Sequence, residues 1–138
     1  MTRHLAIIFI ASAVFAAVCS RNAAVVAADT PEPDGAALYA QHCATCHMVD
    51  GSGVPSMQPS LTDSSIVRGD EKLLIRVVLV GPAAVLPPGR EQYSNPMPEF
   101  SMLADRQIAV LLTYVRREFG GGAPPVATES VAAQRVAP

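Results

Sequence analysis

The sequence predicts a small all-α fold, with three main helices joined by long wrapping loops. Three observations carry that reading. Residues 70–82 and 105–119 repeat apolar side chains at helical spacing, residues 35–42 are good helix formers behind a capping acid, and the stretches between are rich in Gly, Ser and Pro with no strand-like alternation. Half of the 138 residues are apolar, enough for one compact core in one domain.

Residues 1–28 read as a secretory signal. Arg3 and His4 precede an apolar run from Leu5 to Val18, shorter than the roughly 20 residues of a spanning helix, and Val26-Ala27-Ala28 offers small residues for cleavage. An uncleaved anchor is the rival, and a lipid on Cys19 is a third possibility that the bulky Val18 before it disfavours. Cleavage after Ala28 removes Arg3 and Arg21 and leaves eight basic residues against twelve acidic ones, a net charge of −4. No basic stripe suits nucleic acid, and membrane association is expected only through an uncleaved or lipidated N-terminus.

Residues 29–34, "DTPEPD", form a Pro-broken acidic lead-in, and Asp34 is placed to cap a helix over 35–42 that ends in "CATCH", residues 43–47. Residues 48–63 follow as an irregular loop, of the kind that wraps something in a small domain. The segment "DEKLLIRVVLVGP" starts on two acids, places Leu73, Leu74, Val77 and Val78 at helical spacing and stops at Gly81-Pro82. Residues 83–102 return to loop, stiffened by prolines. The last helix, 105–119, buries Ile108, Leu111, Leu112 and Val115 and ends at three glycines, with Ala104 where a capping Ser or Thr would partner Gln107. The domain is thus placed at 35–120, and the aperiodic tail 121–138 is expected to be disordered.

Loss of Cys19 with the signal leaves Cys43 and Cys46 as a pair, with His47 directly after. On one helical turn these three groups face the same side. Two thiols can add across the vinyl groups of a haem while the imidazole reaches the iron, and this spacing is the attachment signature of one covalent c-type haem. A redox disulfide is the first alternative, but it wants a strand-then-helix context and leaves His47 unexplained. Structural zinc is the second, and it lacks a fourth donor, since His42 lies next to Cys43 and points elsewhere.

The iron's sixth position is open to Met48, Met57, Met97 or Met102. Met48 follows the proximal His, Met57 sits in the proximal loop, and Met102 abuts the last helix. Met97 lies between Pro96 and Pro98, where a stiff chain loses less entropy in presenting a weak ligand, so it is the preferred thioether. The ordinary reading of a lone Met is core filler.

Residues 35–119 resemble a class I cytochrome c. Gly35 and Tyr39 stand eight and four residues before the first Cys, as in that family, and Leu111 and Tyr114 match the pair through which its terminal helices cross. The resemblance also implies that Pro59 and Leu61 border the haem, the Pro59 carbonyl accepting a hydrogen bond from His47. "NPMPEF" and the helix after it are similar to cytochrome subunits of bacterial periplasmic quinoprotein dehydrogenases. Met48 departs from the family, which often has Gly there, and a stiffer turn is expected.

The implied function is periplasmic electron transfer without substrate chemistry, between a dehydrogenase or upstream cytochrome and a terminal oxidase or another cytochrome. Leu61, Leu74, Val78 and Leu111 would bury the haem, leaving an edge near CATCH for brief docking. Two alternatives remain. One is a haem peroxidase or gas sensor with an opened sixth position; the other is a fixed subunit of a larger dehydrogenase.

Overall fold

The computed structural model describes residues 32–62, 64–88 and 93–137. The expected signal over 1–28 and the first residues of the lead-in lie outside them. Within the described residues the structure is helical, without strands beyond one isolated bridge between Val54 and Gln58. The elements are α1 (Gly35–His42), α2 (Ala44–His47), α3 (Ser65–Arg68), α4 (Glu71–Val80), α5 (Pro82–Val85), α6 (Asp105–Glu118) and α7 (Thr128–Arg135). None of these helices is long and apolar enough to cross a membrane.

The three expected helices are α1, α4 and α6, and local chemistry sets their ends. The Asp34 carboxylate accepts the amide of Ala36 at 3.0 Å and starts α1. Asp70 does the same for Lys72 at 2.9 Å and starts α4. Gly81, with φ of +81°, stops α4 in a conformation that other residues resist. At α6 half of a capping box forms. The Gln107 side chain accepts the Ala104 amide at 2.9 Å, and Ala104 has no side-chain oxygen to return the bond.

The core gathers Leu38 and Tyr39 of α1, Leu74, Ile75, Val78 and Leu79 of α4, and Ile108, Leu111, Leu112 and Val115 of α6. The α1–α6 crossing is close because position 35 has no side chain. A Cβ there would lie 2.4 Å from the Val110 carbonyl oxygen and 2.8 Å from the Tyr114 Cβ. Tyr39 then stacks at a tilt on Tyr114 and Phe119, with ring centroids 5.5 and 5.0 Å apart.

The structure differs from the sequence reading in three places. The helix through CATCH breaks at Cys43, whose φ of −120° separates α1 from α2. Short helical turns also appear: α5 runs into the stretch read as loop, and α3 occupies residues given no element; Pro82 starts α5 at the first-turn position that tolerates a missing amide.

The largest correction is the tail, expected to be disordered over 121–138, where α7 instead packs on α4 and α6. Its anchor is Val131, fully buried, helped by Val126, whose amide bonds the Thr113 hydroxyl at 3.0 Å. The composition hid this because an eight-residue helix with one buried side chain has no readable period.

Candidate haem-binding site

The CATCH turn closes on one carbonyl. The Cys43 oxygen accepts the amides of Cys46 at 3.1 Å and His47 at 2.8 Å, which winds the two thiols and the imidazole into one turn. Cys43 is half-buried against the core, Cys46 is exposed, and His47 is buried. Burial pushes the Cys43 thiol up to about 11, with the neighbouring Cys46 adding to it. Reactive redox cysteines depend on a lowered pKa, and Cys43 is shifted the other way.

His47 is held from behind. Its Nδ1 lies 2.9 Å from the Pro59 carbonyl oxygen. A carbonyl can only accept, so Nδ1 carries the proton and Nε2 keeps its lone pair for a metal. Burial lowers the imidazole pKa, an effect the Pro59 bond partly offsets, and the ring is therefore poised neutral, the form that ligates. Leu61, two residues beyond Pro59, borders the core, and its amide donates to the Gly51 carbonyl at 2.7 Å.

The loop between these anchors is fixed by further bonds. The Gly53 amide donates to the His47 carbonyl at 3.0 Å. Gly51 has φ of +72°, and a Cβ on it would meet the Phe119 ring at 2.6 Å, so the loop and the end of α6 pack through a position without a side chain. Met48 adopts φ +66° and ψ 161°, a region that is essentially glycine's, which accounts for the Gly often found there.

Met97 comes from a separate segment. It is half-buried and borders the same apolar cluster as Cys43 and Leu61. Its carbonyl lies beside Gly81, where an added Cβ would be 3.6 Å away. The other candidates are placed differently: Met57 is 43 % exposed, Met102 is 73 % exposed, and Met48 is locked in the proximal turn. Leu74, Val78 and Leu111 are buried within the same apolar core that Met97 borders.

Two groups near the site were not foreseen in these roles. The Tyr39 hydroxyl donates to the Met48 carbonyl at 2.6 Å, bracing the residue after His47. Burial, with lesser contributions from Cys43, Tyr114 and Asp50, holds this phenol well above its usual range, so it stays a donor. A Tyr on a buried helix face, needing a partner for its hydroxyl, was the available signal. His42, expected only to point away from Cys43, is half-buried with its ring edge-on to Phe100, centroids 6.0 Å apart.

The donor set fits a c-type haem, with two adjacent thiols and a neutral imidazole whose outer nitrogen is already satisfied. Structural zinc fits less well, since among the described residues no three His, Cys, Asp or Glu side chains gather around one point.

Comparison with known proteins agrees. The family model described as cytochrome c matches residues 33–117. The cytochrome c subunit of a quinone alcohol dehydrogenase from Gluconobacter oxydans is 36 % identical over 99 residues, covering 70 % of this chain and 20 % of that protein. Cytochrome c-552 of Thermus thermophilus is 32 % identical over 93 residues, covering 64 % of this chain and 70 % of that protein. A gluconate 2-dehydrogenase cytochrome c subunit from Pantoea cypripedii is 33 % identical over 99 residues, 68 % of this chain and 22 % of that protein. The chain thus spans only about a fifth of the dehydrogenase subunits but most of cytochrome c-552. With a covalent c-type haem and electron transfer implied by that match, and Cys43, Cys46 and His47 at the attachment spacing, the chain belongs to the cytochrome c family.

Proposed function

We propose that the protein is a periplasmic single-haem electron carrier, in which His47 and Met97 would ligate the iron and Cys43 and Cys46 would be the covalent anchors. It takes an electron from a dehydrogenase or upstream cytochrome and passes it to an oxidase or another cytochrome. The bond from His47 Nδ1 to the Pro59 carbonyl carries the reading, because it fixes the ring in the tautomer that ligates. When bound, the haem supplies a one-electron couple between two iron states.

The residues supply the rest. The Met97 thioether raises the potential and keeps small molecules from the sixth position. Leu74, Val78 and Leu111 exclude water from the interior, while Thr45, Cys46 and Val49, all exposed, leave one rim accessible to a partner. The interface needed is small, since a shuttle must release its partner.

A fixed place within a dehydrogenase complex is the second reading, favoured by the likeness to proteins named as dehydrogenase cytochrome subunits. Purification from the native host separates the two: a carrier elutes alone from the periplasmic fraction, and a subunit elutes with a larger enzyme. Mass spectrometry of the same sample should show a chain starting at Asp29 with one haem added. Retention in the cytoplasm, or a mass without haem, contradicts the proposal.

A further inference from the structure

The helix α7 lies beyond residue 117, where the family match stops, and one of its side chains reaches toward the Met97 segment. Arg135 donates three hydrogen bonds to a single turn. Its Nη1 bonds the Ser101 carbonyl at 2.8 Å, its Nη2 bonds the Leu103 carbonyl at 2.7 Å, and its Nε bonds the Asp105 carboxylate at 2.7 Å. The planar guanidinium suits this set, because its donors sit in a fixed fork and the chain supplies three acceptors in five residues.

That turn is the rear mount of the Met97 segment. The Leu103 amide bonds the Phe100 carbonyl at 3.1 Å, and the Phe100 amide bonds the Val78 carbonyl at 2.9 Å. At the front, the amides of Ser94 and Asn95 bond the carbonyls of Ser56 and Met57 at 3.0 and 3.2 Å. Ser94, Asn95, Pro96, Pro98 and Glu99 are all exposed, so little packing holds the segment between its mounts. The helix bearing Arg135 is itself fixed, by buried Val131 and by a 3.0 Å bond from Arg76 Nη1 to the Ala137 carbonyl.

We infer that α7 is a clamp on the sixth-ligand segment, with Arg135 as a positioning residue that holds the 101–103 turn and thereby keeps Met97 closed on the iron. The inference rests on Met97 being that ligand. Local opening of such a segment sets how often an external ligand can replace a thioether, and removing mounts from the closed form raises the open population.

The test is binding of imidazole to the oxidised holoprotein, followed at the haem absorption band in five proteins. The expected result is slow binding in the wild type, about tenfold faster binding in Arg135→Ala, the factor matching about 1.4 kcal/mol, and an intermediate rate in Arg135→Lys, which cannot span all three acceptors. Met97→Ala binds at once in every case. As a control, Arg106→Ala breaks the exposed ion pair with Glu32 on the same helix α6 and should leave the rate at the wild-type value. If Met97→Ala binds no faster than wild type, the ligand assignment fails, whatever Arg135 does. Should Met97→Ala bind at once while Arg135→Ala matches the wild type, the ligand stands and the clamp is overturned; an equal acceleration in Arg106→Ala also overturns it, as general loosening.

Discussion

His47 sits in a web of bonds drawn from residues 39 to 61, whereas Met97 sits in a strap pinned at its two ends. On the proximal side the Cys43 carbonyl, the Pro59 carbonyl, the Gly53 amide and the Tyr39 hydroxyl converge within one loop. On the distal side the mounts are main-chain bonds to Ser56, Met57 and Val78, and the residues flanking Met97 are exposed. On the proposed ligation, the difference follows from what each ligand would have to do. An imidazole beside two covalent anchors can be fixed once, while a weak thioether would have to be pressed into place by chain stiffness and external bracing.

His47→Ala tests the rigid side and carries the largest expected effect: no stable holoprotein accumulates, read as loss of the haem absorption band in purified material. Met97→Ala tests the strap. The covalent haem stays, the potential falls and the reduced iron binds carbon monoxide, as potentiometric titration and gas addition would report. An unchanged potential would assign the distal face to another group.

Smaller changes probe the web. Tyr39→Phe removes the bond to the Met48 carbonyl and should cost about 1–2 kcal/mol in denaturant unfolding, with the haem still attached. Met48→Gly works in the other direction. It relieves a backbone conformation that suits glycine and should stabilise the protein by about 1 kcal/mol. A neutral result there would mean that the turn relaxes around Met48 at no cost.

The contrast between the two sides also explains what could be read from sequence. The helices α1, α4 and α6 were legible because caps and apolar periods mark them, and the CATCH turn because its chemistry is dense in five letters. The prolines on each side of Met97 are what motivate its proposed role. The proposed clamp left no such mark, since its one buried anchor, Val131, and its one bonding side chain, Arg135, make no pattern until α4 and α6 are folded beneath them. Met48 looked arbitrary as a letter and acquires a meaning only with its φ of +66°.

Proton NMR of the reduced holoprotein decides whether Met97 closes the distal face. A methionine bound to haem iron lies in the ring current, so its methyl resonance moves far upfield of ordinary protein signals. Such a resonance is expected in the wild type, in Met57→Ala and in Met102→Ala, and it should disappear in Met97→Ala. A resonance that survives in Met97→Ala, or a wild type without one, contradicts that ligation.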